Sequence, residues 1–117
     1  MRMNKPIAGY HILMILSAVD HSFSATEDMV IQKWLIEQFP ISINLDKEMD
    51  VLSALPESEY MSHFHRCMQD FYDDSTESER NELMQFALQL AKADSVLSRE
   101  ENRYIDELFN QWAEDTI

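Results

Sequence analysis

At 117 residues the chain has the length of one domain, and its 45% apolar residues, including six Phe, four Tyr, two Trp and eight Met, can fill a core, which excludes wholesale disorder. One Gly and three Pro, with no Asn-Gly or Asp-Gly pair to close a tight hairpin, exclude a turn-rich sheet protein. A formal charge of −13, from 22 acids against nine Lys and Arg, repels nucleic-acid phosphates and anionic membranes and favours cations and protein partners with a basic surface.

In chain order, the first helix is expected to begin between Asn4 and Pro6, because proline is tolerated in a first turn where its missing N–H has no partner. Ile7, Tyr10, Leu13, Met14 and Ser17 form one broad stripe, widened by Ile12 and Leu16. A helix apolar over so much of its surface either runs through the centre of a bundle or covers a second copy of the chain, so a homodimer through it is one expectation. The second helix is predicted from Ser24 to about Gln38, opened by the capping box Ser24-Ala25-Thr26-Glu27 and stopped by Pro40, with Val30, Ile31, Trp34, Leu35 and Gln38 at helical spacing. A short helix, Leu45 to Ala54, capped by Asn44 and facing inward with Met49 and Leu52, is expected next. A longer one starts at Pro56 or Ser58 and reaches about Asp73. Its Tyr60, Met61, Phe64, Cys67, Met68, Phe71 and Tyr72 keep the i, i+3, i+4, i+7 rhythm, which suits either core or an adaptable Met-rich groove. Thr76-Glu77-Ser78-Glu79 is a capping box for a fifth helix, which carries Leu83, Phe86, Ala87, Leu90 and Ala91 on one face and ends near Asp94. Ser98-Arg99-Glu100-Glu101 opens the last helix, whose apolar face is Ile105, Leu108, Phe109 and Trp112. The fold class is therefore all-α, a compact bundle of about six helices, joined by short loops that favour antiparallel neighbours.

An internal repeat runs through this pattern. Asp20 to Ile31 returns 74 residues later, without a gap, as Asp94 to Ile105; Asp20 pairs with Asp94, Ser24 with Ser98, Glu27 with Glu101 and Ile31 with Ile105. The chain thus reads as a single domain over 1–117, with repeat copies at about 7–38 and 80–113 around an inserted helical segment, 44–73. Asp20 and Asp94 each continue the inward face of a helix at its C-terminal end. An unpaired carboxylate there opposes the helix dipole and is costly to bury. One answer is local: the aspartates accept N–H groups in the turn, and Glu27 and Glu101 complete capping boxes. The other is a divalent cation held by Asp20, Glu27, Asp94 and Glu101, with Asp28 and Glu100 as further oxygen donors. Oxygen ligands suit Ca²⁺ or Mg²⁺, although the central glycine and dense acid ladder of an EF-hand are absent.

The stretches VDHSFSATEDMVI and AKADSVLSREENRYI resemble the paired signature of the tellurite-resistance TerB-like family, roughly A-D-G-x-[IL]-S-x-x-E-x-x-x-[IL], over about residues 7–113. A similar helical domain precedes the J-domain cochaperones of the DjlA type. The resemblance implies a compact helical domain with internal pseudo-symmetry, linked to stress-response, membrane-associated or signalling assemblies. It places the family's proposed metal-binding acids on Asp20, Glu27, Asp94 and Glu101. The motif's glycine is replaced by His21 and Ser95, so each turn either holds a side-chain-bearing residue in the left-handed conformation or takes another shape.

Catalytic signatures are lacking: there is no HExxH, and one glycine excludes a P-loop, GxSxG and GxGxxG. His63 and His65 do not share a helical face. His63 aligns with Cys67 one turn on, but the sequence shows no further zinc ligands, so a surface or core-edge histidine and an inert core cysteine are expected. With no signal-like start and no long apolar run, a cytoplasmic location is expected. The expectation for function is an acidic binding or regulatory module with no catalysis of its own and no certain cofactor. A Ca²⁺- or Mg²⁺-binding sensor is the alternative, and a metal-dependent enzyme the more distant one.

Overall fold

The computed structural model describes residues 5–17, 25–39, 45, 47–92 and 99–114. Six α-helices follow one another: α1 Lys5–Ser17, α2 Ala25–Gln38, α3 Glu48–Ser53, α4 Tyr60–Asp74, α5 Glu77–Lys92 and α6 Arg99–Glu114, with a 3₁₀ turn at Glu57–Glu59. No strand is present among the described residues.

Helix α1 is the axis of the molecule. Every residue from Ala8 to Leu16 is buried, including Gly9 and His11, and α2 to α6 all pack against it. This is what a helix without a polar face requires, because its whole circumference must leave water. The surface that suggested a homodimer through α1 is therefore covered by the chain's own helices.

Polar contacts between helices set their directions. Lys5 at the start of α1 donates its backbone N–H to Asp74 at the end of α4 (3.3 Å), and His11 further along meets His63 near the start of α4. Helices α1 and α4 thus run in opposite senses. Lys5 also reaches Glu79 (2.8 Å), and a Cβ placed on Gly9 would lie 3.4 Å from Leu83 Cδ1. Both contacts join positions 74 apart in sequence and keep the same order, so α1 and α5 run side by side in the same direction. Helices α2 and α6 begin the same distance apart, at Ala25 and Arg99.

The aromatic side chains close the core. Phe71 is fully buried, stacked on Trp112 of α6 (centroids 5.5 Å apart) and edge-on to Phe39 (6.2 Å). Phe64 meets Tyr104 edge-on at 4.9 Å, and Trp34 of α2 stacks on Phe86 of α5 at 4.5 Å. Phe64, Cys67, Met68 and Phe71 of α4 are buried, so its Met-rich, aromatic face is core rather than an open groove.

The Thr76 capping box forms as its sequence predicts: Glu79 N–H donates to Thr76 Oγ1 (3.2 Å) and Thr76 N–H donates to Glu79 Oε1 (2.8 Å). Arg80 then turns back over the end of α4. Its guanidinium donates to the carbonyls of Tyr72 (3.3 Å) and Ser75 (2.8 Å) and lies 4.1 Å from the Tyr72 ring centroid, which places a cation on the negative end of that helix. Ser24 and Ser98, expected from the sequence to cap the second and last helices, lie outside the described residues.

Three expectations change. Helix α3 starts at Glu48 rather than Leu45, with Lys47 and not Asn44 at its N-terminal boundary. Leu45 is buried in the core and its carbonyl accepts Glu48 N–H in a preceding turn (3.1 Å). The segment opening at Pro56 is a 3₁₀ turn, closed by Glu59 N–H on Pro56 O (2.9 Å), and the α-helix begins only at Tyr60. Val30, placed on the inner face by spacing, is 46% exposed.

Candidate functional site

The acids marked by the repeat are not brought into one described site. Asp20 and Asp94 lie outside the described residues, and so do the side chains of Glu27 and Glu101, which occupy the first turns of α2 and α6. Asp28, considered as a further oxygen ligand, is otherwise engaged. It accepts a hydrogen bond from the Tyr10 hydroxyl and, from Gln32 Nε2, hydrogen bonds at 3.0 and 3.1 Å. Burial first, and then this bond to Asp28, push the Tyr10 phenol above its ordinary pKa. The trio pins α2 to α1 and gives Asp28 a structural task.

The chemistry-bearing residues that the fold does assemble come from α1, α3 and α4. His11 reaches from the apolar axis helix to Glu48 of α3 and His63 of α4. Its Nδ1 is 2.8 Å from His63 Nε2 and its Nε2 is 2.7 Å from Glu48 Oε1. Cys67, one turn after His63 on α4, completes a group in which His11, His63 and Cys67 each offer a ligand atom within 4.8 Å of the others. His11 is 2% exposed and Cys67 is fully buried, while His63 sits half-buried at the edge of the core.

Burial lowers the His63 pKa, and the facing His11 lowers it further. Burial also pushes the Cys67 thiol up to about 12, with Asp70 acting in the same direction, so the thiol is protonated and unreactive at neutral pH, as the sequence led one to expect. The sequence reading missed the partner of these two residues. The available signal was His11 itself, an ionisable side chain inside a helix that is otherwise apolar all round, where a buried polar group must find a bond. His65 behaves as its separate face predicts. It lies on the other side of α4, 3.3 Å from Glu107 and from Gln111 on α6.

A second feature lies on the outer face of α2. Met29 is 70%, Ile36 56% and Val30 46% exposed, three of the four large apolar side chains found exposed among the described residues. Met29 and Ile36 are two turns apart on one face. With Asp28, Gln32, Lys33 and Glu37 they line a shallow depression of about 550 Å³. Among the described residues, no helix is long and apolar enough to cross a membrane.

Comparison with protein-family models, with curated proteins and with solved structures finds no match to this chain. The TerB-like resemblance accordingly rests on the two sequence motifs.

Proposed function

We propose that the protein is a non-catalytic helical binding module that presents the outer face of α2 to a protein partner. The observation that carries this reading is the gathering of exposed Met29, Val30 and Ile36 on one helix, while the other apolar side chains among the described residues are largely used in the core. Scattered exposed apolar residues are ordinary on protein surfaces, but a patch repeated over two helical turns and edged with charge is the surface an amphipathic helix uses. Glu37 at its edge and the formal charge of −13 favour a partner helix with Leu, Ile or Met on one face and Lys or Arg beside it. The TerB-like motifs extend the reading to a stress-response assembly as the setting.

The test is a displayed library of amphipathic helical peptides selected against the full chain. The expected hits are apolar on one face with basic flanks, and they lose binding to a Met29→Glu/Ile36→Glu double variant whose thermal midpoint matches the parent. If the selected peptides bind that variant equally, or if none exceeds a charge-matched polar helix, the reading fails.

A further inference from the structure

We propose that His11, His63 and Cys67 form a binding site for a thiophilic divalent metal ion, zinc above others, with Glu48 orienting His11 from behind. The donor set itself selects the class of ion: two imidazole nitrogens and one sulfur suit zinc and its chemical relatives, whereas Ca²⁺ and Mg²⁺ want oxygen. This site is distinct from the oxygen ligands of the repeated acids, and it is independent of the α2 docking face.

The second layer of contacts supports the assignment. Glu48 Oε1 lies 2.7 Å from His11 Nε2, so the carboxylate accepts that N–H and leaves the Nδ1 lone pair aimed at His63 and Cys67. A carboxylate behind a ligating histidine fixes its tautomer and its ring orientation. With the proton of His11 on Nε2, the 2.8 Å contact is made by His63 Nε2–H donating to His11 Nδ1; moving that proton to the other ring nitrogen of His63 frees a second lone pair toward the same point. In a tetrahedral zinc site, Zn–N bonds of about 2.0–2.1 Å hold two nitrogens roughly 3.3 Å apart, so the two rings need to part by only about half an ångström. The Cys67 sulfur lies within 4.8 Å of a ring nitrogen of each histidine and reaches the third corner, where a tetrahedral site holds sulfur and nitrogen roughly 3.6 Å apart, by a further approach of up to about 1 Å.

Charge balance points the same way. A dication binds as the Cys67 S–H bond breaks, the proton leaves to solvent and a metal–sulfur bond forms. The thiolate and the Glu48 carboxylate together then cancel the two positive charges inside the protein. Three protein ligands leave a fourth position for water or an exchangeable ligand on the half-buried His63 side.

Cobalt(II) is the probe, because it reports on sulfur ligation. Titrated into the reduced full-length chain, it is expected to give a thiolate-to-metal charge-transfer band and tetrahedral visible bands that saturate at one equivalent and are bleached by zinc but not by calcium or magnesium. Cys67→Ser removes the charge-transfer band. His63→Gln, at a half-buried position, is expected to weaken binding at least tenfold with the helical circular dichroism unchanged. Glu48→Gln keeps the band but weakens binding about 10–100-fold. No charge-transfer band in the parent overturns the proposal, as does a band that survives Cys67→Ser, competition by calcium equal to that by zinc, or unchanged affinity in a folded His63→Gln variant.

Discussion

Glu79 shows how one side chain serves two structural ends. It closes the Thr76 capping box and holds Lys5 at 2.8 Å, which joins the start of α5 to the start of α1. Burial by itself pushes its carboxyl pKa up, but the hydrogen bonds from Lys5 and Thr76 and the Lys5 charge outweigh this and lower it. A carboxyl depressed on folding adds stability that is fully present above its unfolded value, about 4.3, and is lost as pH falls through its folded value. Glu79→Gln is therefore expected to destabilise the protein by roughly 1 kcal/mol at neutral pH. The gap between parent and variant should narrow steadily below about pH 4. Urea denaturation at several pH values measures both effects, and a gap independent of pH would show that the charge contributes nothing. Thr76 and Glu79 could be paired from sequence because a capping box spans four consecutive residues. Lys5 could not be added to them, because it arrives from the other end of the chain.

At the scale of the element, α1 governs the packing. Three helices close on Gly9: an added Cβ would meet Leu35 Cδ2 at 3.3 Å, and Leu83 Cδ1 and Phe71 Cε2 at 3.4 Å. An alanine there asks two flexible leucine ends and one ring to yield slightly, while gaining about 1 kcal/mol of helix propensity, so Gly9→Ala is expected to be near neutral. Gly9→Leu has no room and is expected to cost about 1–3 kcal/mol by overpacking. Equal denaturation midpoints for the parent and Gly9→Leu would contradict this close approach. Phe71, wedged between Phe39 and Trp112, is the complementary test, since Phe71→Ala leaves a cavity and should cost about 3–5 kcal/mol in the same measurement. The sequence marked α1 as apolar all round but left open what would cover it; five helices of the same chain do so.

For the whole molecule, the charge sets the solution behaviour. With 22 acids against nine Lys and Arg, self-repulsion is expected to outweigh part-exposed ion pairs such as Lys5–Glu79 and His65–Glu107. The molecule measures 32 × 32 × 27 Å, so at about 0.01 M salt a Debye length of about 30 Å lets the acids act on one another across it. At about 0.1 M the Debye length falls to about 10 Å and the repulsion becomes local. The thermal midpoint is expected to rise with added NaCl, most steeply between these two concentrations. Differential scanning calorimetry checks this, and a midpoint that falls with salt would mean that the attractive pairs dominate.

Helix number, order and approximate ends were legible because their causes are local: a 3.6-residue apolar rhythm, a proline stop after Gln38 and a capping box at Thr76. The start of α3 was not, because it depends on Leu45 entering the core of the assembled bundle. Val30 kept the rhythm yet faces outward, since periodicity marks an apolar face but not how much of it the neighbours cover. The cluster of His11, Glu48, His63 and Cys67 is the sharpest case. His63 and Cys67 share one helical face and could be paired on spacing alone. Glu48 and His11, which bring the second nitrogen and hold it in place, lie on two other helices, and His11 is 52 residues from His63. The sequence determined the helices and their apolar faces through short-range backbone and side-chain chemistry. The tertiary structure decided which polar groups meet, because only the packing of α3 and α4 against α1 brings those distant residues within bonding distance.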